Sequence, residues 1–194
     1  MNYPNGKKST TITNNINYSN RGMNLENELN QANEYYRLID KAYIYKKPTP
    51  IKITKVDYPS RDKAVIKEAF FTIPSTTDYN GIYKGKYIDF EAKETKSKTS
   101  FSLNNIHPHQ IKHLENIDKH KGIAFIIIRF TTINKTYLIT INKVLEYINS
   151  NNRKSIPLSY FEENAYLIKD SLKPVIDYLK IVDKILEVSK WKRK

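Results

Sequence analysis

The 194-residue sequence contains no cysteine, so it can have neither a disulfide framework nor a thiolate metal site. It has only five glycines and lacks a glycine-rich phosphate loop, an internal repeat and a nucleophile-elbow motif, which argues against nucleotide hydrolysis and serine-hydrolase chemistry. No hydrophobic run approaches the length needed to cross a bilayer, and the opening MNYPNGKKS has no apolar segment that would direct secretion. We therefore expect a cytoplasmic protein.

Acidic residues are scarce relative to basic ones. The chain carries 33 Lys and Arg against 20 Asp and Glu, which gives a formal net charge of +13. This excess favours a polyanionic partner, and nucleic acid is the leading candidate. A lysine-rich proteome would give the same composition, since Asn, Ile and Lys are all abundant. Charge alone therefore leaves both interpretations open.

The most informative stretch runs from residue 75 to residue 96 and reads STTDYNGIYKGKYIDFEAKETK. Between residues 87 and 93 the side chains alternate with the period of a strand. One face carries Ile88, Phe90 and Ala92. The other face carries Tyr87, Asp89, Glu91 and Lys93. Two carboxylates and an ammonium on one strand face suit a site in which the carboxylate oxygens bind Mg2+ and the lysine stabilises negative charge that develops on a phosphate. A solvent-exposed strand face would show the same alternation.

Asp78 lies upstream of this strand and is a candidate for a further oxygen ligand. Local rules predict a turn at residues 78–81, where Asp opens and Gly closes the tetrapeptide DYNG. A second predicted turn at residues 84–85 joins a short strand to the one that begins at Tyr87. If the two strands pair antiparallel, Asp78 lies beside Glu91.

Asp78 followed by Glu91-Ala92-Lys93 resembles the active-site pattern of the PD-(D/E)xK nuclease superfamily. The surrounding sequence is more specific and is similar to the RecU family of Holliday-junction resolvases. The matching words are YSNRGMNLENELN, YKKPTPIKI, AVIKEAFF, STTDYNGIYKGKYIDFEAKETKSKTSF and HPHQI. The resemblance runs from about residue 18 to residue 130 and continues more loosely to the C-terminus. It implies an α/β fold with a mixed central β-sheet flanked by helices, a restriction-endonuclease-like core and a protruding β-hairpin stalk.

The resemblance also implies roles for individual residues. The metal-binding positions of the family map onto Thr76, Asp78, Glu91 and Gln110. Lys93 matches the lysine that stabilises the transition state, and the metal would be Mg2+, with Mn2+ able to substitute. In related resolvases a glutamate of the first helix, four residues after a glycine, lies near the metal. Glu26 lies four residues after Gly22 and therefore corresponds to that glutamate. The alternative is that Glu26 is an ordinary glutamate on the helix surface. Asp89 is predicted to adjoin the ligands or to face the DNA.

Hydrophobic periodicity predicts the elements around this site. The predicted helices span residues 24–36, 108–119, 142–149 and 174–190. The predicted strands span residues 42–47, 51–58, 64–71, 122–130 and 135–141. The first helix has an apolar stripe of Leu25, Leu29, Ala32 and Tyr36. The last has Val175, Leu179, Val182 and Leu186.

The second and third predicted strands form a hairpin around the turn at residues 59–62, within an insertion at about 46–71. Its basic residues are Lys46, Lys47, Lys52, Lys55, Arg61, Lys63 and Lys67. They would suit the tracking of phosphates or the open centre of a branched DNA, whereas lysines that protect a strand edge are the alternative. The resemblance favours DNA binding, because in RecU-like proteins this stretch is the stalk that engages the junction centre.

We therefore expect a disordered basic tail at residues 1–19, one nuclease domain at 20–190 and a basic tail at 191–194. The predicted activity is Mg2+-dependent resolution of Holliday junctions by paired symmetric nicks during homologous recombination and DNA repair. A homodimer is expected because a four-way junction needs two symmetric cuts, and a recombinase or branch-migration helicase is a candidate partner. The alternative is a basic DNA-bridging module that modulates a recombinase without cleavage.

Overall fold

The computed structural model describes residues 24–60, 63–71 and 76–191. The helices are α1 Leu25–Leu38, α2 Pro108–Lys119, α3 Ile141–Ser150, α4 Leu158–Asn164 and α5 Leu179–Trp191. The strands are β1 Tyr43–Lys46, β2 Ile51–Asp57, β3 Val65–Phe71, β4 Tyr79–Tyr83, β5 Lys86–Thr95, β6 Ser100–Ser102, β7 Ile123–Phe130, β8 Lys135–Thr140, β9 Ser155–Pro157 and β10 Tyr166–Ile168. The predicted tail at 1–19, the stalk residue Arg61 and residues 192–194 lie outside the described residues.

The central sheet has six strands in the order β1-β4-β5-β7-β8-β10. Every neighbouring pair is antiparallel except β5 and β7, which run parallel and are connected through α2. One face of the sheet packs with α1 and α5, and the other packs with α2, α3 and α4. All eight residues of β7 are buried because both of its faces are covered. The predicted α/β fold with a mixed central sheet flanked by helices is confirmed.

Helix α1 begins where the sequence predicts, because Asn24 accepts a hydrogen bond from the backbone N–H of Asn27 at 2.9 Å. Its predicted apolar stripe is buried against the sheet, with Leu29, Ala32 and Tyr36 fully inaccessible. Burying a leucine side chain contributes about 1.5–3 kcal/mol. Packing of this stripe therefore fixes which flank of α1 faces β5.

The hairpin β2–β3 is confirmed as a two-stranded antiparallel sheet of its own. Every residue of its strands is exposed except Val56, which is partly buried, and the strands contact chiefly each other. The pairing is irregular between Ile53 and Val56, where the register shifts. The hairpin, which we call the stalk, therefore contributes almost nothing to the core.

The turn predicted at residues 78–81 is wrong, because Tyr79 to Gly81 belong to β4. Gly81 is required there by close packing: a Cβ atom on it would lie 2.0 Å from the carbonyl oxygen of Tyr43 on β1. The predicted turn at Lys84 and Gly85 is confirmed, and both residues have positive φ, 49° and 71°. Strands β4 and β5 therefore form a tight hairpin.

The last helix begins later than predicted, at Leu179 and not at residue 174. Tertiary contacts hold the preceding residues out of the helix: Asp177 accepts a hydrogen bond from Tyr36 Oη at 2.7 Å, and the rings of Tyr178 and Tyr36 pack edge to face. The short elements β6, β9, α4 and β10 were not predicted. Within the described residues, no helix has both the length and the apolar character that a membrane span requires.

Candidate metal-binding active site

The β4–β5 hairpin brings the two predicted carboxylates together. Tyr79 pairs with Phe90, so Asp78, one residue earlier, comes opposite Glu91. Asp78 Oδ2 also accepts a hydrogen bond from the backbone N–H of Ala92 at 3.0 Å, which fixes its side chain against β5. The prediction that antiparallel pairing places Asp78 beside Glu91 is therefore confirmed.

Glu91 is completely buried, and its two oxygens have different surroundings. Oε1 accepts a hydrogen bond from Gln110 Nε2 at 2.8 Å and pairs with Lys93 Nζ at 2.5 Å. Oε2 is buried and has no hydrogen-bond partner among the described residues. Since an unsatisfied buried acceptor carries a desolvation penalty, this oxygen is a candidate ligand for a cation.

The electrostatics of Glu91 indicate the same missing partner. Burial, followed by the negative charge of Asp78, raises the pKa of Glu91 to about 7, whereas Lys93 and Gln110 oppose the rise. Glu91 and Asp78 repel each other when both are ionised, and this repulsion would destabilise the fold if the two carboxylates had only a structural role. A divalent cation bound between the two would remove their repulsion.

Gln110 and Thr76, the other predicted ligands, have protein partners. Gln110 Oε1 accepts the backbone N–H of His107 at 3.0 Å in a capping box at the start of α2. The amide nitrogen of Gln110 therefore contacts Glu91, while its amide oxygen contacts the first turn of α2. Thr76 lies two residues before Asp78, and its hydroxyl accepts a hydrogen bond from Lys47 Nζ at 3.1 Å.

A cleft opens beside the carboxylates, between the start of α1 and the strands β4 and β5. Glu26, Asp78 and Lys93 all line it. The Glu26 carboxylate is half exposed and forms an ion pair with Lys46. The side chain of Glu94 also lines the cleft and accepts the backbone N–H of Leu25 at 2.9 Å, which ties the start of α1 to β5. The structure thus places Glu26 in the same cleft as Asp78 and Lys93, whereas the buried Glu91 is not among the residues that line it.

The oxygen atoms in and around this cleft suit a hard divalent cation. Among the described residues no group of three or more His, Cys, Asp or Glu side chains could hold a metal. The candidate ligands are instead the carboxylates of Asp78 and Glu91, while the nearby Gln110 amide oxygen and Thr76 hydroxyl are oxygen donors that already accept hydrogen bonds from the protein. Mg2+ is bound in this way, by one or two carboxylates together with waters and substrate phosphates.

Asp89 is fully buried and lies outside the cleft, on the same face of β5 as Glu91. It accepts hydrogen bonds from Thr77 Oγ1, from Tyr87 Oη at 2.9 Å and from Lys47 Nζ at 2.7 Å, and His113 Nε2 lies 3.0 Å away. We call this group of five residues the Asp89 cluster. Sequence reasoning did not identify the part played by His113, although it lies three residues after Gln110 and hence on the same side of α2.

The predicted DNA-binding residues have different surroundings. Lys52, Lys55, Lys63 and Lys67 are exposed on the stalk, and Lys67 forms an ion pair with Asp57 at 3.5 Å. Lys47 differs from them, since only 14% of its side chain is accessible and its ammonium faces the interior.

The chain is similar to several known proteins. Residues 20–184 match the family model of RecU, Recombination protein U. The chain is 52% identical over 193 residues to Holliday junction resolvase RecU of Geobacillus sp. (strain WCH70), covering 94% of this chain and 96% of the relative. It is 49% identical over 200 residues to Holliday junction resolvase RecU of Staphylococcus aureus (strain JH9), covering 96% of each. A solved structure of Hjc, a Holliday junction resolvase from Archaeoglobus fulgidus, matches 73% of this chain and 93% of its own, with 10% identity and a TM-score of 0.37. From the family match and the identity over nearly its whole length, the chain belongs to the RecU family.

Proposed function

We propose that this chain is a divalent-metal-dependent endonuclease that resolves Holliday junctions by paired symmetric nicks in homologous recombination and DNA repair. The observation that carries the proposal is the buried oxygen Oε2 of Glu91, which finds no hydrogen-bond partner in the part of the chain that the structure describes and lies beside Asp78 and Lys93. The relatives that match along the whole chain are named as resolvases, which supports four-way junctions as the substrate.

Asp78 and Glu91 would hold Mg2+, or Mn2+ in its place, and Thr76 and Gln110, the further ligands that the resemblance implies, would exchange their contacts with Lys47 and His107 for the ion. The ion, when bound, activates a water and neutralises phosphate charge. Gln110 and Lys93 both contact Glu91 Oε1, which leaves Oε2 for the metal. The Lys93 side chain is one quarter exposed and lines the cleft, so its ammonium can also contact a phosphate on which charge develops.

The exposed lysines of the stalk would contact junction phosphates, while the catalytic residues remain on the sheet. Two copies of the chain would supply the two symmetric nicks, so the active form is proposed to be a homodimer. A recombinase or branch-migration helicase is a candidate partner, and the cytoplasm is the proposed location. The proposed domain limits are a nuclease domain at 20–190 between tails at 1–19 and 191–194, although α5 extends one residue further, to Trp191.

The test is cleavage of a synthetic four-way junction with each strand labelled in turn. We expect paired nicks at symmetric positions in Mg2+ and none in EDTA, and Glu146→Gln, which changes an exposed glutamate of α3 far from the cleft, should cleave like the wild type. Junction binding without cleavage in Mg2+ or Mn2+ would contradict the proposal and would favour a non-cleaving DNA-bridging protein.

A further inference from the structure

Lys47 is the residue at which the chain leaves β1 for the stalk, and its side chain points inward. Its ammonium donates to Asp89 Oδ2 at 2.7 Å, to Thr77 Oγ1 at 2.6 Å and to Thr76 Oγ1 at 3.1 Å. The same nitrogen lies 3.5 Å from His113 Nε2. With so little of its side chain accessible, Lys47 is poorly placed to contact a phosphate from the stalk.

These contacts join the three segments that carry the candidate metal ligands Thr76, Asp78, Glu91 and Gln110. Thr76 and Thr77 immediately precede Asp78, Asp89 lies two residues before Glu91 on β5, and His113 shares α2 with Gln110. The backbone N–H of Lys47 also donates to the carbonyl oxygen of Asp78 at 2.7 Å. A single residue thus contacts the Asp78 segment through both its main chain and its side chain.

Lys47 also connects the two ends of the stalk. It lies just before β2, whereas Thr76 and Thr77 follow β3, so the ammonium bridges the outgoing and the returning chain. We call this junction of Lys47 with Thr76 and Thr77 the root of the stalk. Because the stalk packs against little else, a movement of the stalk would be transmitted to the sheet through the root. The fully buried carboxylate of Asp89 favours the contact with the Lys47 ammonium, because leaving a buried charge without its partner is strongly destabilising.

We infer that Lys47 is a positioning residue of the nuclease: paired with Asp89 at the root of the stalk, it sets the Asp78 segment against Glu91 and couples the stalk to the metal site. This inference rests on the proposed function for its substrate and adds a role that differs from phosphate binding. Residues that hold metal ligands in place typically change metal affinity or activity by about 10–100-fold when they are removed. Phosphate contacts behave differently, because each one lost lowers the salt dependence of DNA binding by about one unit of slope.

The experiment compares Lys47→Met with Lys52→Met, which removes an exposed lysine of the stalk, and with Lys143→Met, a control on α3. Lys47→Met should lower the single-turnover cleavage rate about 10–100-fold and raise the Mg2+ concentration needed for thermal stabilisation in the absence of DNA. It should leave the salt slope of junction binding, measured in EDTA, unchanged. Lys52→Met should lower that slope, and Lys143→Met should match the wild type in every measurement.

The double variant Lys47→Met/Asp89→Asn keeps the test decisive if Lys47→Met folds poorly. It removes both buried charges, so it should recover thermal stability without recovering the cleavage rate or the response to Mg2+. Recovery of all three would overturn the inference and make Lys47 only a counterion of Asp89. A lower salt slope with a normal cleavage rate in Lys47→Met would also overturn it, because Lys47 would then be a phosphate contact. If the wild type never nicks a junction, the proposed function fails, and the Mg2+ response of the variants still decides the role of Lys47.

Discussion

Replacing Glu91 by Gln removes a charge that the metal-free protein buries at a cost. The pKa of this carboxyl rises from 4.5 to about 7, because it is buried and lies near Asp78. One pKa unit corresponds to about 1.4 kcal/mol, so the ionised side chain lowers the stability of the metal-free fold by about 3 kcal/mol at most. The substitution should therefore raise the free energy of unfolding in EDTA even though it abolishes cleavage.

The sign of the pH dependence follows from proton binding. Between pH 4.5 and about 7 the folded chain keeps a proton on Glu91 that the unfolded chain has lost. Stability from this group therefore falls as pH rises through that window and is constant above it. We expect Glu91→Gln to exceed the wild type by about 1–3 kcal/mol at pH 8 and to match it near pH 4.5.

Urea unfolding in EDTA at the two pH values measures this difference directly. The exposed control Glu146→Gln should stay within about 0.5 kcal/mol of the wild type at both. In Mg2+ the order should reverse, since the wild type gains stability from the ion and Glu91→Gln does not. If Glu91→Gln were destabilised to the same extent at both pH values, the carboxylate would be a structural hydrogen-bond acceptor and the metal-site argument would be refuted.

Three further predictions concern other parts of the molecule. Lys93→Ala should lower the single-turnover cleavage rate by about 100-fold or more while junction binding persists, and normal cleavage would show that Lys93 only neutralises Glu91. Shortening the stalk at residues 58–63 should preserve the unfolding temperature but reduce the preference for a junction over linear duplex, and an unchanged preference in competition at several salt concentrations would contradict the proposed stalk role. Arg129→Met should lower the free energy of unfolding by about 3–5 kcal/mol, because it strands the buried carboxylate of Glu28, which Arg129 contacts with both terminal nitrogens. Adding Glu28→Met should restore most of that loss in urea unfolding, and a cost below about 1 kcal/mol for the single change would show that the pair is not effectively buried.

The carboxylate pair could be predicted because its determinants are local. Period-two alternation in β5 identifies its polar face, and the turn at residues 84–85 aligns Asp78 with Glu91. The apolar stripe of α1 was equally readable, since burial of one face follows directly from helical spacing. These features depend on residues close together in sequence.

The unpredicted features depend on contacts between distant segments. The non-helical residues before α5 are held by Tyr36, and Gly81 is explained only by the close approach of β1. Strands of three residues, such as β9 and β10, are too short for periodicity to show. The inward orientation of Lys47 was also unpredictable, because a lysine beside a run of exposed lysines has no local feature that marks its buried partner Asp89.

The stalk is an excursion between two strands that pair with each other, β1 and β4. Closing such a loop becomes more costly only with the logarithm of its length, by about 0.6 kcal/mol for each doubling. Because the stalk buries almost no apolar surface, insertions and deletions in it also leave the core packing unchanged. The length of the stalk can therefore change at little thermodynamic cost, while β4, which Asp78 immediately precedes, and β5, which carries Glu91, stay constrained by the sheet.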